Sequence, residues 1–345
     1  MKKKTLIIGI AILQICVLGY MAGEREWVLR NGHTLYLRTA PIDPRDMMRG
    51  DYVRLNYSIS RVPGALCLGS LAFTNNVSQK LPRDTKVYAA LKVSDGDVAE
   101  LVSLSPNPPA TGLFVRGRTE RSWGSLLQVR YGLEAYFMEQ GKGLELEKGR
   151  NREGIQVPLE MEVAVSPGGL GVLKGHRWCA LGLGLDLETL TNARTPNVRF
   201  TPGRVIGAKL RLLNASSNDV AIVDLPDGRS FSLLSDSQWG DNPWQGVNEK
   251  EIQGAPEQSQ VIVLKPGQIH TMNIAFNSPR WSITKKEDGN PITTTLADIR
   301  GNGSARFRLE YRPPDQKACA QLTNAGIIWH GRLPSQVFTP FGSVD

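Results

Sequence analysis

Beyond residue 26 the chain sustains no 3.6-residue apolar period, and that constrains its fold more than any other feature. Short alternating segments recur instead, at 34–38, 52–60, 86–93, 113–117, 126–131, 155–165 and 171–173. Between them stand turn clusters such as Asp95-Gly96-Asp97, Ser105-Pro106-Asn107-Pro108-Pro109 and Ser166-Pro167-Gly168-Gly169. Glycine reaches positive φ without strain, and proline fixes φ while removing a donor, so such clusters end strands. The supply of 35 glycines and 21 prolines suits many short strands joined by turns. The pattern predicts an all-β fold.

A second set of segments opens at 205–214 and continues through 220–225, 230–234, 260–264, 270–276 and 305–311 to 327–331. This spacing suggests a β-sandwich, and Leu264-Lys265-Pro266-Gly267 resembles a strand end and turn of immunoglobulin-like domains. The Cys…Trp…Cys arrangement of true immunoglobulins is missing, so the expectation extends to the architecture alone. Residues Thr191-Asn192-Ala193-Arg194-Thr195-Pro196-Asn197 are polar and contain a proline. They set a predicted linker at 191–203, between a β-rich domain at 23–190 and a sandwich at 204–345. A length of 345 residues is long for one domain and accommodates two.

The start is of another kind. Met1-Lys2-Lys3-Lys4 precedes an apolar stretch at 5–22, broken by Gln14 alone. A helix over that stretch reaches roughly 27 Å at ~1.5 Å per residue, close to the ~30 Å of a bilayer's hydrocarbon core. Three lysines on its N-terminal side predict a cytoplasmic tail at 1–4 and export of the rest. A cleaved signal peptide needs small residues at −3 and −1. Cutting after Ala22 leaves Tyr20 at −3, and cutting after Gly23 leaves Met21 there. The expectation is a retained signal-anchor, one pass through the inner membrane, with the folded regions in the periplasm or outside the cell.

The segment after the first strand is dense in charge and turns: Pro41-Ile42-Asp43-Pro44-Arg45-Asp46-Met47-Met48-Arg49, then Gly50-Asp51-Tyr52-Val53-Arg54-Leu55-Asn56-Tyr57. From Tyr52 it alternates as a half-buried strand, with Val53, Leu55 and Tyr57 on one face. A second segment reads Tyr131-Gly132-Leu133-Glu134-Ala135-Tyr136-Phe137, followed by the acid-rich Glu139, Glu145 and Glu147. Over roughly residues 1–180 the chain resembles the GDYxxLxY family of bacterial membrane-anchored proteins, named for the first motif. Relatives often read Pro-Glu-Gly where this chain has Glu139-Gln140-Gly141. The resemblance implies a membrane segment, a β-rich domain and multi-pass membrane proteins as partners; it names no reaction.

Asp43, Asp46 and Asp51 each have an arginine nearby among Arg45, Arg49 and Arg54, which lowers a carboxylate pKa and favours fixed ion pairs over proton donors. The first motif and the second are expected to meet, with Arg45, Arg49 or Arg54 pairing with Glu134. Trp239, Trp244 and Trp281 are candidates for stacking on a glycan, or for covering a sandwich core. Cys67 and Cys179 are the candidate disulfide, because both fall in the first region and an exported protein permits one; buried hydrophobic cysteines without a bond are the alternative. His33, His176, His270 and His330 show no metal-ligand spacing, and no phosphate or dinucleotide fingerprint occurs, so no metal or cofactor is expected. The net charge of +8 is spread without a long basic run, so nucleic acid is not an expected partner.

These readings converge on a membrane-anchored exported protein without enzymatic activity, serving as an assembly, tethering or accessory subunit of a membrane or envelope complex. Two alternatives stand beside it: a glycan-binding module using the loop tryptophans, and a cell-wall or sugar-polymer hydrolase using the acids of 43–51.

Overall fold

The apolar stretch forms the front of one 30-residue helix, α1 (Lys2–Asn31), which runs well past the expected end at residue 22. Its second part is rich in helix-forming Glu and Arg, and Arg30 pairs with Glu26 one turn back at 2.7 Å. Gly32 ends it, donating its N–H to the Val28 carbonyl at 2.8 Å. A Cβ on Gly32 would stand 2.6 Å from that carbonyl oxygen and 3.1 Å from the Val165 nitrogen, so the close approach requires glycine. The computed structural model describes residues 2–39, 52–72, 83–94, 96–123, 126–137, 146, 149, 151–190, 204–236, 242–248, 255–287, 289–299 and 305–343.

After α1 come β1 (His33–Arg38), β2 (Tyr52–Arg54), β3 (Arg61–Pro63), β4 (Lys86–Val93) and β5 (Ala99–Ser105). They are followed by β6 (Leu113–Trp123), β7 (Leu126–Arg130) and β8 (Ala135–Phe137). The short β9 (Asn151–Arg152) and β10 (Ile155–Gln156) precede β11 (Leu159–Val165), β12 (Gly171–Trp178) and β13 (Leu181–Leu190). One antiparallel sheet runs β3-β7-β6-β4-β5, a second runs β1-β11-β12, and β2 pairs with β8. Val87, Ala89, Val115, Leu127 and Val129 from the first sheet meet Leu35, Leu37, Met161 and Val163 from the second in one core. Each large aliphatic side chain so buried contributes about 1.5–3 kcal/mol relative to exposure. The end of α1 packs on β11 and β12, with Val28 buried.

The chain continues through β14 (Arg204–Asn214), β15 (Val220–Val223), β16 (Phe231–Ser235), β17 (Gln245–Gly246) and β18 (Val261–Leu264). Then follow β19 (Ile269–Ala275), β20 (Ser282–Glu287), β21 (Asn290–Thr295) and β22 (Phe307–Tyr311). A short helix, α2 (Gln316–Cys319), leads to β23 (Leu333–Pro334), β24 (Phe338–Thr339) and β25 (Gly342–Ser343). The sheets are β19-β14-β13-β10-β9, β15-β18, β17-β20-β21 and β16-β22-β24-β25, with β23 also on β22. The protein is thus mostly β, as expected. The pairings of the described strands form several small sheets and do not draw the two sheets of an immunoglobulin-like sandwich.

Residues 191–203, expected as a linker, connect β13 to β14, which pair from Leu181 opposite Asn214 to Leu190 opposite Arg204. Cys179, Leu181 and Leu183 accordingly belong to the C-terminal core. That core begins where β12 gives way to β13, earlier than expected. The strand expected at 327–331 is instead a 3-10 turn, Ala325–Ile327, and one parallel bridge from Ile328 to Ala221. The strand expected at 155–165 is split between β10 and β11 at Val157-Pro158, since proline supplies no ladder donor.

Candidate functional site

The two motif segments meet. β2 runs antiparallel to β8, with Tyr52 opposite Phe137, Val53 opposite Tyr136 and Arg54 opposite Ala135. The Leu55 N–H extends the contact by donating to the Glu134 carbonyl at 2.7 Å. Beyond that point two phenols cross between the segments. Tyr57 donates to the Leu133 carbonyl at 2.6 Å, and Tyr131 donates to the Ile59 carbonyl at 2.9 Å. The turn between Tyr131 and Glu134 is tied by the Glu134 carboxylate, which accepts the Tyr131 N–H at 2.5 Å. Gly132 takes φ +77° within it, a left-handed conformation that suits glycine.

Leu55, Tyr57, Tyr131 and Leu133 are all buried. Burial, with the Glu134 charge adding to it, holds both phenols well above the ordinary tyrosine range. They stay protonated at neutral pH and act as donors, which makes the pair a latch and not a nucleophile. Tyr136 leaves the latch in another direction: its hydroxyl is hydrogen-bonded to His176 Nδ1 on β12 at 3.1 Å, with the rings edge to face at 5.6 Å. Burial lowers the His176 pKa, so the neutral imidazole is favoured as the acceptor. Asp43, Arg45, Asp46, Arg49, Gly50 and Asp51 lie outside the described residues, as do the side chains of Tyr52 and Arg54, so the expected arginine pairing with Glu134 lies there too.

A second constellation, not singled out from the sequence, stands on the neighbouring sheet. Glu160 of β11, 2% exposed, lies in one cross-strand row with Arg38 of β1 and Arg177 of β12. Arg38 reaches it at 3.0 Å and Arg177 at 2.9 Å. The Arg177 guanidinium lies 3.5 Å from the centre of the Tyr36 ring. Burial works against the Arg38 charge, yet Cys179 and the bonded Glu160 hold its pKa above the ordinary value. Arg38 also donates to the carbonyl of Arg332, whose own guanidinium meets Glu100 at 3.1 Å, so this row joins the two cores. The available signal was three charges, Arg38, Glu160 and Arg177, set within strand-like alternation. Removing one partner of such a buried set costs about 3–5 kcal/mol.

The other candidates separate. Trp281 is 2% exposed and packs edge-on against Phe276 at 5.9 Å, so it is a core residue and not a stacking platform. Trp244 is half-buried against the same core, with Lys285 Nζ 5.1 Å from its ring centre. Trp239 lies outside the described residues. The expected disulfide is corrected: Cys67 and Cys179 are free, buried thiols in separate apolar clusters. Burial pushes each of them up to about 11, which leaves little thiolate at neutral pH.

This geometry defines a class: a β-rich region carried on an exposed apolar helix and latched by crossed tyrosines. Residues 14–175 match the family model described as GDYXXLXY protein, in keeping with the resemblance that the two motif segments carry. The match takes in the latch, Arg38 and Glu160, and stops short of Arg177. No curated protein and no solved structure matches the chain.

Proposed function

We propose that the chain works without enzymatic activity, as a membrane-anchored exported assembly, tethering or accessory subunit of a membrane or envelope complex. In this reading α1 is a retained signal-anchor in the inner membrane. Its lysines stay in the cytoplasm, and the β regions stand in the periplasm or outside the cell. The supporting observation is a contrast within α1. Its most apolar 18-residue window has mean hydropathy 2.2 and no buried residue, while Val28, near the end of the same helix, is 1% exposed within the N-terminal core. Lipid is the natural cover for the first part, since water penalises an apolar surface of that size. The second part is already built into the fold.

Anchoring raises the local concentration of both β regions at the membrane, so weak contacts to other membrane or envelope proteins suffice. The test is alkaline extraction of membranes combined with protease protection of intact spheroplasts. The full-length chain should stay with the membrane, and its C-terminal tag should be digested from outside. A pull-down through that tag after detergent solubilisation should recover a stoichiometric membrane companion. Release of the chain into the alkaline wash, or a shielded C-terminus, overturns the reading.

A further inference from the structure

We propose that the outer face of the sheet β3-β7-β6-β4-β5 docks onto anionic phospholipid headgroups of the membrane that holds α1, an inference that rests on the anchor reading above. The strand register arranges cations in rows. Lys86, Arg118 and Arg130 stand directly opposite one another on three adjacent strands. Arg121, Gln128 and Arg61 form the row beside them, and Arg116 lies opposite Tyr88. Directly opposed residues share a face, and buried Val87, Ala89, Val115, Leu127 and Val129 mark the other face as core. All six cations therefore lie on the solvent side. Asp84 offsets two of them, reaching Arg118 at 3.1 Å and Arg130 at 3.8 Å.

Like charges directly opposite in a sheet are destabilising, and the apolar core beneath does not require them. Asp84 brings one carboxylate to this row of three cations, and an anionic surface adds further counter-charge. Two aromatic rings sit among the cations: Tyr88 and Phe114 are edge to face at 5.7 Å, with Lys86 Nζ 5.3 Å from the Tyr88 ring centre. The Tyr88 ring suits the level at which headgroups give way to acyl chains, while Phe114 packs against Gly169. The face also begins beside the anchor. Gly32, at the end of α1, abuts Val165, and the turn after Val165 carries Gly169, whose carbonyl accepts the Arg116 N–H at 2.8 Å. A soluble polyanion offers the same charge without the tether's local concentration, so the lipid surface is the partner that the arrangement favours.

The experiment uses the full chain in nanodiscs with a headgroup-borne quencher. A fluorophore sits on Ser105→Cys, opposite Tyr88, in a Cys16→Ser background. Quenching should appear with ~30% anionic lipid, be absent with zwitterionic lipid, and vanish towards ~1 M salt. The variant Arg116→Gln/Arg118→Gln/Arg130→Gln should lower the docked-to-free ratio about a hundredfold. The wild-type salt titration decides the matter even where that variant fails to fold. Equal quenching in both lipids, or none in anionic discs, overturns the proposal, as does complete displacement by polyphosphate at matched charge. Failure of the anchor reading is seen separately, as a chain that does not enter discs. Salt-sensitive cosedimentation of that free chain with anionic vesicles then reads the face alone: cosedimentation supports docking, and its absence overturns it.

Discussion

The N-terminal core fastens its irregular segments with hydrogen-bonded phenols, whereas the C-terminal core closes on packed aromatic rings. In the first, the chain leaves the β2–β8 ladder and passes through 3-10 turns at Ser58–Ser60 and Gly64–Leu66. The carbonyls of Ile59 and Leu133 take the Tyr131 and Tyr57 hydroxyls, because a buried carbonyl needs a partner whether or not a strand supplies one. In the second, Phe276 stacks on Phe338 at 5.8 Å and Phe231 meets Tyr311 edge-on at 5.4 Å, so ring packing fills the space between the strands. A latch depends on particular atoms at particular positions, so it leaves a readable sequence pattern. Filling volume tolerates many substitutions and leaves a fainter one. The family match, which ends at residue 175, covers the latched region and not the ring-filled one.

Truncating a ring tests the second half of this contrast and carries the largest expected effect. Phe338 is fully buried between Phe276 and Phe307. Phe338→Ala should cost about 3–5 kcal/mol in urea unfolding, while Phe338→Leu, which restores most of the volume, should recover much of the loss. If both cost the same, shape specificity matters in this core as much as in the other, and the contrast weakens.

Raising the pH loads both cores together. Cys179 in the C-terminal core rises from its ordinary 9.0 to about 11, and Tyr57 and Tyr131 in the N-terminal core are also raised. The unfolded chain therefore releases these protons first, so stability is complete below pH 9 and is lost as pH climbs through 11. Cys179 alone accounts for a loss on the order of 2 kcal/mol at the top of that window. Thermal melts under reductant should show the decline, with a shallower slope in Cys179→Ala. A flat profile to pH 11 would mean that these groups are less buried than their surroundings indicate.

Removing single hydroxyls separates the two cores more finely. Tyr57→Phe and Tyr131→Phe each strand a buried carbonyl and should cost about 1–3 kcal/mol. The double variant should show coupling beyond the sum if the two bonds act as one latch. Tyr311 is the control, because its hydroxyl bonds both the N–H and the carbonyl of Val223 within the aromatic core. Should Tyr311→Phe cost as much as the latch variants, hydroxyl bonding is no special property of the N-terminal core.

How far the sequence reveals this depends on the range of the interaction. β4 has its expected bounds because Val87, Ala89 and Leu91 alternate cleanly with exposed or half-buried residues. β6 runs to Trp123, past the expected 117, because the bulge between Thr119 and Arg121 breaks the alternation that marks a strand in sequence. β13 went unexpected although Leu181, Leu183, Leu185 and Leu187 alternate. Its glycines lower strand propensity, yet a Cβ at Gly182 would lie 2.9 Å from Ile155 and Val157 side chains, so close approach explains it. Alternation buries Leu55 and Tyr57 as expected, but the latch itself spans separations of 76 and 72 residues, which no local pattern encodes. The meeting of the two motifs follows from opposite charges, Arg45, Arg49 or Arg54 against Glu134; the phenol bonds that latch it do not.

The cysteines give the smallest effect and the sharpest check on the separateness of the two cores. A disulfide needs Cα atoms within about 7 Å and Cβ vectors that converge, which neighbours in one core can achieve. Cys67 packs among Ile59, Val62 and Leu104 of the N-terminal cluster, whereas Cys179 packs with Leu181 and Leu183 in the other. The purified chain should therefore melt at the same temperature with and without reductant, within about 0.5 kcal/mol of stability. Alkylation after denaturation without reductant should label Cys16, Cys67, Cys179 and Cys319. Burial protects the last three even in an oxidising compartment, since a buried, protonated thiol is a poor nucleophile. A cross-linked peptide joining Cys67 to Cys179 would bring together two thiols that the structure places in different apolar clusters, and would undo the contrast between a latched core and a ring-filled one.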